Sequence, residues 1–161
     1  MIRSVQESDI SAICDVYNHF ILETMTTFEE SPVDFATIRQ RIAKIQQAGL
    51  PWLVAEVNDQ VLGYAYASPW RERSAYRFSV ESSIYLHPQR IGAGVGSRLY
   101  AALLDELRAR GVHCVMGGIA LPNPASIALS EKFGFQKVAH FHQVGWKQNR
   151  WIDVGYWQLL L

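Results

Sequence analysis

The residue types that most favour ligand binding are three glycines at positions 92, 94 and 96, in the stretch HPQRIGAGVGSRLY. They follow an apolar, strand-like run and precede a run with helical periodicity. Glycine lets a ligand approach the main chain closely, and the first turn of a helix offers free N–H groups at the positive end of its dipole. This arrangement predicts a site for phosphate or another anion.

Two common phosphate-binding loops do not fit this stretch. A P-loop requires a lysine after its second glycine, and Gly92 to Ser97 contain none. A dinucleotide-binding loop has the spacing G-x-G-x-x-G near the start of its fold, whereas here the spacing is G-x-G-x-G and four predicted strands come first. A glycine-rich turn that binds nothing is the alternative.

The run FSVESSIYL, before the glycines, alternates between apolar and polar residues, as a strand with one buried face does. One side would carry Phe78, Val80, Ile84 and Leu86, and the other Ser79, Glu81, Ser83 and Tyr85. Glu81 is the charged residue of this strand, and a carboxylate beside an amine can accept its proton. Glu81 is therefore the candidate general base, with a solvent-exposed glutamate as the alternative.

The segment SPWRERSAYR, just before that strand, is rich in arginine and aromatic residues. The planar guanidinium group suits carboxylate, phosphinate and sulfone oxygens. A small molecule that carries such oxygens would fit a pocket lined in this way. We also expect at least one of these arginines to face solvent.

Composition excludes several classes of protein. The 161 residues are 49% hydrophobic and 19% charged, with zero formal net charge, so nothing indicates nucleic acid or a membrane surface as a partner. The N-terminal residues MIRSVQESD lack an apolar signal core, and no apolar run has the length of a membrane span. We expect one domain over residues 1–161, located in the cytoplasm.

Metal chemistry is not predicted. No CxxC or HExxH spacing occurs, and we expect the two cysteines, Cys14 and Cys114, to be buried free thiols. For Lys147, the sequence offers no argument for a binding role other than its positive charge. The histidines form no spacing typical of a ligand set; they are His19, His87, His113, His140 and His142.

The periodicity along the chain predicts a mixed α/β fold. A short strand comes first, and Ser8 is expected to cap a helix that carries Ile10, Ile13, Tyr17 and Phe20. A second helix, a hairpin turning at Asn58-Asp59, the Glu81 strand, a helix to about Arg110, a buried strand and a short helix follow. Two more strands, turning near Gln148-Asn149, end the chain.

This order resembles the GCN5-related N-acetyltransferase (GNAT) family. The resemblance rests on a strand, then [QR]-x-x-G-x-[GA] opening a helix, a further strand, Asn123-Pro-Ala-Ser126, and the helix end Glu131-Lys-Phe-Gly-Phe135. The loop fits in two registers, with either Gln89 or Ile91 at the Gln/Arg position. The resemblance implies a twisted, mostly antiparallel sheet with one splayed parallel pair and helices on both faces.

A narrower resemblance, over nearly the whole chain, is to phosphinothricin N-acetyltransferases. Its more specific pieces are W-[RK]-x-R-x-A-Y and E-S-[ST]-[VI]-Y, with GLPNPASIALSEKFGF and GWKQNRWIDVGYWQ nearer the end. It implies direct acetylation of the α-amine of a small amino-acid analogue, such as phosphinothricin, methionine sulfoximine or methionine sulfone. Another amine, on a protein N-terminus or a polyamine, and a non-catalytic acetyl-CoA sensor are the alternatives.

The resemblance also implies roles for individual residues. Glu81 would be the catalytic base. The acetyl-CoA-binding residues would be Ile84, Tyr85, Leu86, Gly92, Ala93, Gly94, Val95, Gly96, Ser97 and Asn123. The acceptor-binding residues would be Phe28, Arg71, Glu72, Arg73, Tyr76, Glu81, Ser82, Ser83 and Trp151.

One position departs from the family. Ser130 stands where many members have a tyrosine and the phosphinothricin group has a histidine. Either water, or a tyrosine such as Tyr85 or Tyr156, would then protonate the leaving thiolate. The resemblance also implies a homodimer, with an interface that includes the aromatic C-terminal strands. Core packing is the alternative for their aromatic residues, which are Trp146, Trp151, Tyr156 and Trp157.

Overall fold

The computed structural model describes residues 1–90 and 94–161. Gly92 and Ala93, expected at the pyrophosphate, lie outside the described residues, as does Ile91. The helices and strands are, in chain order, β1 (Ile2–Ser4), α1 (Ile10–Glu23), α2 (Phe35–Gln47), β2 (Trp52–Val57), β3 (Gln60–Pro69), β4 (Ser79–Leu86), α3 (Val95–Ala109), β5 (Cys114–Ala120), α4 (Pro124–Lys132), β6 (Gln136–Lys147) and β7 (Arg150–Leu160).

The strands form one sheet in the order β1-β2-β3-β4-β5-β7-β6, in which β4 and β5 are parallel and every other neighbouring pair is antiparallel. The parallel pairing extends only from Ser79 opposite Cys114 to Glu81 opposite Met116. On its other side, β4 pairs with β3 as far as Leu86. The predicted mostly antiparallel sheet with one short parallel pair is confirmed.

Helices cover both faces of the sheet, as predicted, because alternate residues of the central strands point in opposite directions. On β2, Leu53 packs in the core formed with α3, whereas Val54 packs in the core formed with α1 and α2. On β4, Val80 and Ile84 belong to the α3 side and Tyr85 to the α1 side. The second face of β4, which also carries Glu81, is thereby directed toward α1 and the loop after it.

Local chemistry explains the turns. Asn58 and Asn149 each stand in a two-residue hairpin loop whose residues have positive φ, between 50° and 59°. Those angles match the right-handed twist of hairpin strands. The Ser8 cap was wrong. Ser8 lies in a 3-10 turn, where the Asp9 carboxylate accepts the Gln6 backbone N–H at 2.7 Å.

Two of the three opening glycines have structural reasons to be glycine. Gly94 has φ 70° at the start of α3, a conformation that disfavours side chains. A Cβ on Gly96 would lie 3.0 Å from a methyl group of Leu86, so this glycine lets α3 begin close against the end of β4. The first turn of α3 is thereby directed along the end of the parallel pair.

The α3 side of the core predicts a measurable stability difference. Leu103 is fully buried, whereas Leu22 on α1 is 53% exposed. We expect Leu103→Ala to lower the free energy of unfolding by about 2–5 kcal/mol, since it removes packed methyl groups and leaves a cavity. We expect the matched Leu22→Ala to cost about 0.5 kcal/mol or less. Urea unfolding of both variants checks this, and equal losses would contradict the assigned packing.

Candidate active site

Two adjoining cavities open where β4 and β5 stop pairing. The larger holds about 630 Å³ and lies between β4, β7 and the segment between α1 and α2. The smaller is a slot of about 70 Å³ between β4, β5 and α4. Both cavities are lined by Ser83 and Tyr85 of β4 and by Gly118 of β5, so they meet along these strands.

The Glu81 carboxylate lies at this junction. One of its oxygens is only 3.0 Å from where a Cβ of Gly118 would stand, and the Tyr156 ring is 3.1 Å from the same point. Gly118 therefore leaves room for both side chains. Glu81 lines the larger cavity and is half-buried.

Burial and two neighbouring residues control the charge of Glu81. Burial raises the pKa of its carboxyl above the usual range, because the ionised form loses solvent. A hydrogen bond donated by Tyr156 and the positive charge of Arg71 act against this rise. Arg71 in turn lies over the Trp70 ring, with 4.4 Å between its central carbon and the ring centroid. The result is an ionisable carboxylate that is more basic than an exposed one.

The segment between α1 and α2 forms a wall of the larger cavity and is fixed at several points. Lys147, buried on β6, donates a hydrogen bond to the Thr27 carbonyl at 2.7 Å. The Thr27 hydroxyl lies 2.9 Å from the Tyr17 hydroxyl, which also donates to the Glu29 carboxylate. Arg41 contacts both oxygens of that carboxylate, at 2.8 and 2.5 Å. Thr26, Thr27 and Phe28 thus face the cavity on a cross-linked support.

The charges of this support follow from the same contacts. Arg41 holds the pKa of Glu29 below its usual range, and burial raises the pKa of Tyr17 to about 12. Burial lowers the pKa of Lys147, although Glu30 and Glu29 oppose the shift. Within this support, the Glu29 carboxylate is paired with Arg41 and the Lys147 ammonium donates to a carbonyl, as stable burial of polar groups requires.

Phe28 is further positioned by a glycine. A Cβ on Gly145 of β6 would lie 2.5 Å from two carbons of the Phe28 ring, so the ring rests directly on the strand backbone. Real side-chain carbons do not approach so closely. Gly145 and Lys147 together determine where this wall of the cavity stands.

The slot is built from main chain and small polar side chains. Beyond Glu81 and Met116 the described parts of β4 and β5 show no ladder pairing with each other. Asn123 lines the slot and caps α4, accepting the Ser126 N–H at 3.1 Å. Ser130 lines it and is buried. The slot is suited to a narrow, extended chain that can hydrogen-bond to a strand edge.

Comparison with known proteins decides the family. A model of the acetyltransferase (GNAT) domain matches residues 2–155. The chain belongs to the GNAT acetyltransferase family. The expected activity, N-acetyl transfer from acetyl-CoA, is confirmed at the level of the family.

Individual relatives agree with this assignment. The chain is 39% identical to a methionine sulfoximine/methionine sulfone acetyltransferase of Salmonella typhimurium, over 99% of this chain and 94% of the relative. A phosphinothricin acetyltransferase of Sinorhizobium meliloti, solved with acetyl-CoA, is 36% identical with TM-score 0.97, over 100% of this chain and 88% of the other. A ribosomal-protein-alanine N-acetyltransferase from Brucella melitensis is 37% identical with TM-score 0.98, over 100% and 99%.

In this GNAT protein, the described residues that are expected to bind the cofactor occupy two places. Ile84 and Tyr85 line the slot, and Leu86 packs beside Gly96 at the start of α3. Val95, Gly96 and Ser97 form the first turn of α3 after Gly94. The Lys132 ammonium donates to the Ser97 hydroxyl at 2.9 Å, which adds positive charge beside that turn.

The residues expected to bind acceptor are more scattered. Phe28, Arg71, Glu81 and Ser83 line the larger cavity, and Ser82 lines the slot. Among the described residues, the lining of the larger cavity does not include Glu72, Arg73, Tyr76 or Trp151. The first three lie in an exposed loop before β4, and Trp151 is 59% exposed and packs on Trp146. Their binding roles stay predictions.

Sequence reasoning missed several residues of this GNAT site. Tyr100 of α3 reaches the slot, where its hydroxyl lies 2.8 Å from the Ser82 hydroxyl. Thr27 lines the larger cavity, and Lys147 holds it there through the Thr27 carbonyl. Tyr100 could have been noticed as a polar atom on the apolar face of α3, but nothing local distinguishes Thr27 or Lys147.

The close approach of Gly145 to the Phe28 ring can be tested, because Phe28 lines the larger cavity. Gly145→Ala would displace the Phe28 ring, and we expect kcat/KM for the acceptor to fall about 10- to 100-fold because a small misplacement in the pocket is costly. The KM for acetyl-CoA should stay unchanged. In a Phe28→Leu background, which has no ring to displace, Gly145→Ala should have little further effect. Steady-state kinetics of the four proteins measure this coupling, and simply additive losses would argue against it.

Proposed function

We propose that the chain transfers the acetyl group of acetyl-CoA to the α-amine of a small amino-acid analogue of the methionine sulfone, methionine sulfoximine or phosphinothricin type. Transfer occurs by direct attack in a ternary complex. The observation that carries this proposal is the position of the Glu81 carboxylate, beside Gly118, where the two cavities meet. The names of the similar Salmonella and Sinorhizobium enzymes support the acceptor class.

Acetyl transfer requires a neutral amine. An α-ammonium group has a pKa of about 8 in peptides, so most acceptor molecules arrive protonated at neutral pH. Glu81 takes this proton, directly or through one water, in the step that activates the amine. Its burial favours proton uptake by raising the pKa of the carboxyl.

The larger cavity holds the acceptor. Arg71 pairs with the acceptor carboxylate, or with an oxidised side-chain tip, through its guanidinium fork. Phe28, Phe141 and Val154 cover the apolar part of the acceptor. This combination of one cation with apolar walls supports an amino-acid acceptor of modest size.

The slot and the start of α3 hold the cofactor, which supplies the acetyl thioester when bound. Main-chain groups of Ile84, Tyr85 and Leu86 pair with the pantetheine arm as an added strand would. The first turn of α3, with Lys132 beside it, faces the pyrophosphate. Asn123 contacts the cofactor from the end of β5.

A water route protonates the leaving thiolate in this proposal. The Tyr156 hydroxyl donates to Glu81, and the Tyr85 hydroxyl is hydrogen-bonded to Thr27. The Tyr156 proton is therefore already engaged, and burial raises the pKa of both phenols above the usual range. Ser130, buried beside the slot, has the size to leave room for a water.

We also propose a cytoplasmic homodimer built from a single domain over residues 1–161, with no nucleic-acid or membrane partner. Exposed apolar side chains on the outer strand pair, including Val144, Trp146 and Trp151, support the dimer. Both cysteines are free, which is typical of a reducing compartment. No described helix is long and apolar enough to cross a membrane.

A second acceptor has one observation in its favour. The Brucella structure with TM-score 0.98 is named for acetylation of a ribosomal-protein alanine. A peptide N-terminus would present the same amine to Glu81, but its chain would have to leave the larger cavity past Phe28 and Phe141. We place it second because aromatic walls crowd that path.

Glu81→Gln tests the proposed base. We expect kcat to fall about 10²–10⁴-fold with methionine sulfone, because the amide cannot accept the proton. Glu106→Gln, in an exposed pair with Arg110, is the matched control and should keep full activity. Thiol release would be followed with methionine sulfone, methionine sulfoximine, phosphinothricin, an alanine-terminated peptide and spermidine. Turnover of the peptide or spermidine alone would reject the acceptor class, and an active Glu81→Gln would reject the base.

Tyr156→Phe tests the hydrogen bond to Glu81. This bond favours the carboxylate, so its removal should raise the pKa of Glu81 and move the acidic limb of the kcat/KM profile to higher pH. Activity at the pH optimum should change less than at the acidic end. A limb that stays in place, or moves to lower pH, would show that another group controls it.

A further inference from the structure

A cluster of two histidines and one aspartate lies on the outer hairpin. His140 and His142 stand two residues apart on β6, and Asp153 is on the neighbouring strand, β7. Because side chains alternate along a strand, residues at i and i+2 share a face. The centroids of the two imidazole rings are 4.5 Å apart. Each of the three residues offers one ligand atom, and these three atoms all lie within 4.8 Å of one another.

The distances within this cluster are close to those around a bound metal. Asp153 Oδ2 is 2.7 Å from His140 Nε2 and 3.2 Å from His142 Nδ1. In a tetrahedral zinc site with bonds of about 2.0–2.1 Å, neighbouring ligand atoms are about 3.3 Å apart. Small side-chain rotations would therefore open the cluster around a cation, and the exposed position of His142 leaves room for them.

The backbone already orients the carboxylate. Asp153 Oδ1 accepts the N–H of Gln143 at 2.7 Å, so Oδ2 is the oxygen turned toward the histidines. Gln143 has φ 50° where the β6–β7 register shifts, which places its N–H over Asp153. Hydrogen bonds of this kind to a ligand's second oxygen are a regular feature of metal sites.

Lys137 is the competing group. Its ammonium is 3.0 Å from His140 Nδ1. When a metal binds His140 through Nε2, Nδ1 carries the proton and needs an acceptor, which an ammonium group cannot be. Lys137 would have to turn away, and its exposed position permits this.

We propose that His140, His142 and Asp153 bind one divalent cation of the zinc, copper or nickel class. Imidazole and carboxylate ligands select these ions, and water completes the coordination. The bound ion joins β6 to β7 at the level of Phe141 and Val154, which line the larger cavity from the opposite faces of the same strands. The cation thus cross-links the outer wall of that cavity.

Zinc titration of tag-free, chelator-treated protein tests this proposal, with a competing chromophoric indicator to report free zinc. We expect one zinc per chain in the micromolar range. His140→Gln and His142→Gln should each weaken binding about 10-fold or more, since a ligand is lost. His113→Gln, at an exposed histidine before β5, is the matched control and should leave binding unchanged.

Lys137→Gln provides a change in the opposite direction. It removes the competing ammonium and offers a carbonyl to the Nδ1 proton of His140, so zinc affinity should rise. Zinc should also raise the melting temperature of the wild-type protein and should not raise that of His142→Gln, as thermal unfolding with and without zinc would show.

Absence of saturable zinc binding, or binding that His140→Gln and His142→Gln leave unchanged, would overturn the proposal.

Discussion

Beyond Glu81 and Met116, the parallel strands β4 and β5 separate, and both cavities depend on this divergence. A strand whose main chain is not paired on one side presents N–H and C=O groups that must find other partners. Here one side of β4 is satisfied by β3 along its length, while the other faces a slot. The short parallel pairing therefore leaves a strand edge along the slot, which we propose binds the cofactor, and an opening beside the Glu81 carboxylate.

The pKa of Glu81 at this opening is set by two opposing effects, burial and the contacts with Tyr156 and Arg71. Burial of the Glu81 carboxylate in the cavity raises its pKa, because the ionised form loses solvent. The Tyr156 hydroxyl and Arg71 oppose this effect of burial on the pKa of Glu81. On the wall of the cavity formed by the segment between α1 and α2, polar groups are likewise paired. Arg41 donates to the Glu29 carboxylate, and Lys147 donates to the Thr27 carbonyl. The polar contacts behind this wall of the larger cavity therefore hold it in place.

Much of this could be predicted from the sequence, because the relevant rules are local. Alternation along FSVESSIYL places Glu81 on the face opposite Val80, and the Asn58-Asp59 turn follows from residues that tolerate positive φ. The Ser8 cap failed because the turn before α1 is held by Asp9 instead, which accepts the Gln6 N–H and is paired with Arg3. A rule for capping residues does not include the contact between Asp9 and Arg3, which lies on β1.

Other features could not be predicted, because they depend on distant parts of the chain. Thr27 and Lys147 meet across 120 residues, and Tyr156 reaches Glu81 only because β7 lies beside β5. Trp151 is paired with Trp146 of β6 and is exposed. A register shift between Phe141 and Gly145 of β6 brings Asp153 to His140 and His142, so a search for ligand spacing along the sequence does not find that cluster.

The central claim is that Glu81 receives the proton of an amine held in the larger cavity. A crystal structure of the protein with CoA and methionine sulfone tests it most directly. The account predicts the α-nitrogen about 3 Å from a Glu81 oxygen, or one water away, with Arg71 on an anionic or sulfone oxygen of the acceptor. An acceptor bound with its α-nitrogen directed away from Glu81, toward a different base, would contradict the account.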